Sequence, residues 1–439
     1  MNRWAQGIVG VGLFAVVGVA TLYAASSLQG ATTGQRAALA LMELPDAAPG
    51  RNAFAALWLL PYDVPEGKLD AIVDEDRGRV ASGATARGVA YVSVAAERYP
   101  PSPAQADEPP LCTHGTTGCL AEVRARTGAY QAWRERNTGL IERAGALSRY
   151  GHYRGGFEPS LAMPMPPVGR LIPTLLTDRA LSFVEGRTDA ALADLCGDVV
   201  TWRRLGPNSD SLVVSMLGVA LAGDATVLFA EMLAELPVGQ PLPPACAIAF
   251  APPAVAELSL CEPLKGEFRF TRNALVRRDG NEGLADNPLF SRQMTDARNA
   301  AQMAQFCSRD ADRALRQDRP LPAQRMGDRL QLDCVRNYAG CILSAVAAPA
   351  YRDYQVRAQD HGAKLRLAGT VAWLHGNRTD TRPLAAQLVS RPAALRSAAR
   401  EIEIVDGGKA LRVAMYGRHP AGHFQLPLAG YASGPASAD

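Results

Sequence analysis

Lysine is nearly missing from this chain: of 46 basic residues only Lys68, Lys265, Lys364 and Lys409 are lysine, and the rest are arginine. Abundant Ala, Gly and Pro accompany that bias, a composition expected of a GC-rich bacterial genome. A block of one charge sign is missing too. Basic and acidic residues are interspersed and the formal net charge is +3 over 439 residues, so no basic stripe tracks a phosphate backbone and no nucleic-acid partner is expected. Catalytic signatures are also lacking: there is no G-x-S-x-G nucleophile elbow, no G-x-x-x-x-G-K-[ST] phosphate loop, no H-E-x-x-H and no EF-hand loop. His419 and His423 have the i, i+4 spacing of a metal pair, but Pro420 and Gly422 interrupt the helix that would align them. His114 reads as an exposed loop residue without a partner. No metal and no cofactor are expected.

What is present begins with Gly7 to Ala25, an uncharged apolar run just behind Met1, Asn2, Arg3 and Trp4. As a helix it would span roughly 28 Å, close to the hydrocarbon thickness of a bilayer, and Arg3 favours keeping the start of the chain inside. The alternative is a cleaved signal peptide, for which Ala24, Ala25, Ser26 and Ser27 supply small residues. The run is longer than an ordinary signal core and no charge interrupts the chain between Arg3 and Arg36, which favours an inner-membrane anchor. Both readings export the remainder to the periplasm. Further along, the best apolar run, Leu212 to Ala222, is broken by Ser215 and reads as a buried core helix.

Eight cysteines in an exported chain read as bridges, because the periplasm is oxidising and no C-x2-C pair with nearby histidines suggests zinc. Cys112 and Cys119 bracket Thr-His-Gly-Thr-Thr-Gly, a loop flexible enough to bring them together. Cys334 and Cys341 share that spacing, but Leu332, Val335, Tyr338, Ile342 and Ala345 have helical period, which would hold the two Cα atoms about 10.5 Å apart and forbid a bond. If Ser291 to Gln317 and the segment from Arg325 onward are antiparallel helices joined through Pro320-Leu321-Pro322, Cys307 and Cys334 are equidistant from the turn and pair. Cys196, Cys246, Cys261 and Cys341 are left with three possible pairings, of which Cys246 with Cys261 is preferred.

Most of the chain has helical period, over Gln35 to Leu44, Arg51 to Leu60, Gly83 to Arg98, Leu120 to Ser148, Gly169 to Glu185, Asp189 to Leu205, Ser209 to Leu236, Pro252 to Val276, Ser291 to Gln317 and Arg325 to Gly376. Asp189 and Ser209 are suitable N-caps. Pro383 to Ser390 and Pro392 to Ala399 are still helical, after which Glu401 to Val405, Ala410 to Tyr416 and His423 to Leu428 alternate as strands around Asp406-Gly407-Gly408. The fold class is therefore mainly α, an antiparallel helical array with a small C-terminal antiparallel β-sheet. The divisions are an anchor (1–30), an N-terminal helical subregion with a proline-rich linker (31–110), a helical body (111–380), a small α+β region (381–430) and a disordered tail (431–439).

Glu257, Glu262 and Glu267 share one helical segment. Glu262 and Glu267 are the candidate carboxylates if the chain performs acid and base work, although Lys265, Arg269 and Arg272 nearby suggest a solvated or salt-bridged face. Tyr62 and Tyr354 follow breaks near Pro61 and Pro349 and are the candidate partner-contacting aromatics, alongside Trp58 and Trp133. Arg51-Asn-Ala-Phe-Ala-Ala-Leu-Trp-Leu-Leu60 and Leu260-Cys-Glu-Pro-Leu-Lys-Gly-Glu-Phe-Arg-Phe270, behind a single N-terminal span, resemble segments of uncharacterised inner-membrane-anchored periplasmic proteins of Gram-negative bacteria, a resemblance that implies no activity. The layout of anchor, proline-rich linker and helical body is similar to that of lipase-specific foldases, whose R-x-x-F-D-Y motif is absent here. The expected role is binding another envelope or secreted protein as scaffold, chaperone or inhibitor; the alternative is a periplasmic hydrolase using Glu262 or Glu267.

Overall fold

A computed structural model of the chain describes residues 3–45, 48–82, 91–99, 101, 108–113, 117–160, 163–237, 239–274, 287–321, 331–417, 419 and 421–428. It is a mainly α-helical protein ending in a three-stranded antiparallel sheet. Helix α1 (Arg3–Leu28) meets α2 (Thr33–Leu41) at a 49° bend. Thr32 makes the second start possible: its hydroxyl accepts from the Gln35 backbone N–H while the Gln35 side chain returns to the Thr32 N–H. Short helices α3 (Phe54–Trp58), α4 (Leu69–Ala81) and α5 (Ala95–Arg98) follow, then α6 (Cys119–Ala125) and α7 (Thr127–Gly145).

The centre consists of α8 (Leu171–Val184), α9 (Thr188–Leu205) and α10 (Leu212–Glu235), packed on one another, with α10 also packed on the 39-residue α17 (Tyr338–Gly376). By length and composition α10 could cross a membrane. Here it is a core helix, with Leu221, Ala222, Ala225, Phe229 and Met232 all buried. Between α10 and α17 lie α11 (Pro244–Ala249), α12 (Val255–Leu258), α13 (Cys261–Ala274), α14 (Arg292–Ala304), α15 (Arg309–Arg316) and α16 (Asp333–Arg336), and α18 (Leu384–Ser390) precedes the sheet.

Three hydrophobic cores result. One joins Leu192, Val199, Phe229 and Leu367 to Leu411 and Leu426 of the sheet. A second packs Phe54, Trp58 and Val73 against Leu147, Trp202 and Leu221, and a third gathers Ala38 and Met42 with Leu264, Met303, Phe306 and Tyr351. Residues before position 110 and after position 380 thus share their cores with the helical body.

Several helices that read as continuous in sequence are broken. Leu120 to Ser148 is interrupted at Arg126 (φ −133°, ψ 37°). Ser291 to Gln317 stops at Ser308, whose hydroxyl accepts from the Ala311 N–H to cap α15, and Pro252 to Val276 breaks at Ser259. Thr188 rather than Asp189 opens α9, and Ser211 rather than Ser209 caps α10 through the Val214 N–H. Of Gly83 to Arg98 the described residues form only α5, and Pro392 to Ala399 shrinks to a single tight turn at Ala393–Leu395. The start of the helix expected from Arg325, the His114 loop position and the tail 431–439 lie outside the described residues.

The bridges join Cys112 to Cys119, Cys196 to Cys246, Cys261 to Cys307 and Cys334 to Cys341. The expected Cys307–Cys334 and Cys246–Cys261 pairings are therefore corrected. Cys307 sits where α14 ends in a tight turn and meets the start of α13, Cα atoms 4.8 Å apart. Cys246 lies on α11, which packs on α9 and its Cys196. Cys334 and Cys341 bond because the helix expected through them breaks at Asn337 (φ −109°, ψ 40°), folding α16 back on α17 until the Cα atoms are 5.8 Å apart. The break is tertiary in origin. The Asn337 Oδ1 accepts from the Ser291 N–H at 2.8 Å and from the Thr295 hydroxyl at 3.0 Å, serving the first turn of α14.

Strands β1 (Ile402–Val405), β2 (Ala410–Ala414) and β3 (His423–Pro427) pair in order, with Ile404 opposite Leu411 and Val413 opposite Phe424. Asp406 (φ 53°), Gly407 (φ 64°) and Gly408 (φ 90°) take left-handed conformations at the first turn, which glycine accepts without steric cost. The buried face of β2 and β3 lies against α10 and α17, where the Lys364 Nζ stands 4.7 Å from the Phe424 ring centre.

Candidate functional site

Asn52 organises the neighbourhood of an apolar cavity between α3, α13 and the start of α10. Its side chain donates to the Arg154 carbonyl at 3.0 Å and accepts from the Arg154 and Phe54 N–H groups at 2.9 and 3.1 Å, tying the start of α3 to an extended segment at 151–157. That segment is held on its other side by 208–210: the Tyr153 N–H donates to the Asn208 carbonyl, the Asp210 N–H to the Tyr153 carbonyl, and the Gly155 N–H to the Asp210 carboxylate at 2.9 Å. Gly156 lies so close to Phe54 that a Cβ would stand 2.2 Å from the ring. Only glycine fits there, and Phe54 can then stack edge-on against Phe157 with ring centres 5.4 Å apart.

Helix α13 closes the opposite wall. A Cβ on Gly266 would come within 1.8 Å of the Asp210 carbonyl, so glycine permits the helix to touch the loop that starts α10. Between these walls is a cavity of 180 Å³ lined by Phe54, Phe157, Met163, Met165, Leu212 and Phe270, with Asp210, Glu267 and Arg269 as its charged members. Such a space is the size of one or two side chains, and its methionines at 163 and 165 adapt to varied shapes. Burial raises the Asp210 carboxyl above the usual range against the lowering effect of the Gly155 N–H, Arg154 and Arg269. Glu267 is raised by burial alone.

Five residues on a helix turn through about 140°, which separates the two carboxylates named from the sequence. Glu262 faces outward from the cavity, paired with Lys265 at 2.7 Å and Arg154 at 3.3 Å. Glu267 lines the cavity and lies near Tyr351, whose hydroxyl is pushed up by burial and by that carboxylate. The structure does not bring the pair together. Glu257 is separately engaged, holding Arg203 through both oxygens and accepting from the Ala254 N–H. Tyr62 is half-buried against the second core, burial raising its hydroxyl, and Tyr354 is half-buried against the third with Arg357 over its ring at 5.6 Å. Neither lines the cavity.

Asp210, Phe54, Phe157 and the two methionines carry no pattern of their own in the sequence. Met-Pro-Met-Pro-Pro at 163–167 was the available signal, since a proline-rich stretch keeping two large apolar side chains needs an apolar surface for them. Among the described residues one group of possible metal ligands lies close together, Asp333, Cys334 and Cys341; its two sulfurs are bonded to each other and Asp333 is paired with Arg298 at 3.2 Å. His423 lies in β3, paired with Ala414. No family model, curated protein or solved structure matches this chain.

Proposed function

We propose that this is a membrane-tethered periplasmic protein that binds another envelope or secreted protein, holding an apolar segment of it in the cavity between α13 and the 151–165 segment. The observation that carries this reading is the lining: aromatic and methionine walls around a side-chain-sized space, with few charged groups. The exposed apolar residues of α1, among them Phe14, Val17 and Leu22, and four bridges suited to an oxidising compartment support the tether and the location. One observation favours a second reading as a periplasmic hydrolase: Asp210 and Glu267 share the cavity, and burial raises both carboxyls.

The tether is tested by an alkaline phosphatase fusion after Pro110, active only if that point is exported. Binding is tested with a photo-crosslinker in place of Met165 at the cavity mouth and, as control, of exposed Ile248 away from it. A recurrent envelope partner crosslinked from position 165 alone, and lost on Val213→Asp at the cavity rim, is the expected result. If folded Asp210→Asn, Glu267→Gln protein keeps its partners but loses all cellular function, the hydrolase reading replaces this one.

A further inference from the structure

Although a fifth of the chain is charged, Asn337 to Tyr351 contains no charged residue. On an ordinary surface helix the outward stripe carries the polar residues. Here it carries Tyr338, Ile342 and Val346 at successive i, i+4 positions of α17, with Leu343 beside them, all exposed and Val346 to 73%. Leu289 and Leu332 are exposed as well, and the Ala339 N–H donates to the Leu289 carbonyl, which sets Leu289 beside the start of this apolar stripe.

One end of the patch lies beside the C-terminal end of α1, which packs on α16. Tyr23 donates its hydroxyl to the Pro288 carbonyl at 2.8 Å, and the Arg336 N–H donates to the Ser26 hydroxyl at 3.0 Å. Leu289 and Tyr338 are therefore within two residues of groups that touch the apolar helix, and the Cys334–Cys341 bridge fixes α16 and α17 in that position. Arg336 and Arg352 bracket the uncharged stretch. A recess of 280 Å³ lined by Gln29, Thr32, Gln35, Met294, Leu332 and Asp333 lies between the start of α2 and α16.

We propose that the Tyr338–Val346 face of α17 rests in the interfacial layer of the same bilayer that α1 enters. This rests on the reading of α1 as an anchor. A bilayer covers the apolar patch and receives α1 from one side of the protein. Tyrosine suits the boundary through its apolar ring and polar tip, and the two flanking arginines suit anionic headgroups. The helix thus lies on the membrane rather than crossing it, and it sets the orientation of the body.

The test uses the full chain in vesicles of phosphatidylethanolamine and phosphatidylglycerol, with an environment-sensitive fluorophore on Leu22→Cys, Tyr338→Cys, Val346→Cys or Val389→Cys and nitroxide quencher on the lipid chains. All four positions are exposed, so the substitutions leave the cores intact. The expected result is blue-shifted emission and about a twofold or greater loss of intensity at 22, 338 and 346, with none at 389. Quenching at 22 but water-like emission at both 338 and 346 overturns the proposal and leaves the anchor standing. No quenching at 22 overturns the anchor and the proposal together. Emission at 346 that is shielded from water yet unquenched by lipid, in a chain that runs as a dimer, shows that a second copy covers the face and overturns it too.

Discussion

Arg400 grips Asp318 with two nitrogens of its guanidinium and reaches Asp360 with the third at 2.6 Å, although its side chain is only 1% exposed. Around that contact, Arg366 pairs with Asp318, the Tyr416 hydroxyl donates to the Asp318 carbonyl, and the Tyr416 and Gly417 N–H groups donate to Asp360. The network fastens the C-terminal sheet to α15 and α17. Arg400→Met should lower stability by about 3 to 5 kcal/mol, because two buried carboxylates lose their shared cation. Arg400→Lys should recover only part, since an ammonium cannot engage both carboxylates as a fork. Urea titration of the three proteins measures this; a loss under about 1 kcal/mol for Arg400→Met would contradict the assignment.

His361 supplies a pH dependence with a fixed sign. Burial, then the neighbouring Arg203 and Lys364, push it down from 6.5 to about 3. The unfolded chain takes up a proton near pH 6.5 that the fold refuses until about pH 3, so its contribution to stability is complete above the upper value and is lost as pH falls through this window. The slope from this one group reaches about 1.4 kcal/mol per pH unit. His361→Gln should show a smaller fall in melting temperature between pH 7 and pH 5 than the parent chain.

Glu267 acts in the opposite direction. Its carboxyl is raised by burial, so it favours the fold below the unfolded value and that contribution disappears as pH rises through the raised one. Among the described residues it makes no hydrogen bond or ion pair. Glu267→Gln should therefore melt at or above the parent temperature at pH 7, with the gain shrinking at pH 4. A clear loss at pH 7 would reveal an ionised partner.

Gly266→Ala should prise α13 from the loop at Asp210, where the added carbon would meet backbone at 1.8 Å. Overpacking of this kind costs about 1 to 3 kcal/mol. Because the same contact forms the cavity wall, crosslinking from position 165 should fall in the variant even at temperatures where it remains folded.

Non-reducing peptide mapping should recover the four bridges described above. In the chain-entropy account, opening the Cys261–Cys307 loop costs about 4 kcal/mol and opening the short Cys112–Cys119 loop about 2.5 kcal/mol. Paired serine replacements compared by thermal melting should keep that order.

Local signals in the sequence reach the helical class, the hairpin at Asp406-Gly407-Gly408 and the Cys112–Cys119 loop, because periodicity and turn chemistry are written in neighbouring residues. Asn337 shows where this stops. Nothing beside it in sequence demands a break, since its partners are Ser291 and Thr295 on another helix, and the mistaken pairing of Cys334 follows from that one unseen contact. The cavity is illegible for the same reason. Phe54, Phe157, Asp210 and Glu267 meet only through the extended segment between 51–53 and 208–210 and through two close approaches at glycine. Glu262 and Glu267 could be singled out as carboxylates on one helix, yet which of them faces the cavity follows from where α13 touches the loop at Asp210, far away in sequence.

Every bridge in the structure joins a cysteine to the next one along the chain. A polypeptide oxidised in the order in which its residues emerge from synthesis would acquire this set directly, each thiol closing with its predecessor before a later competitor arrives. On that route an oxidant would suffice, with no reshuffling of mispaired sulfurs.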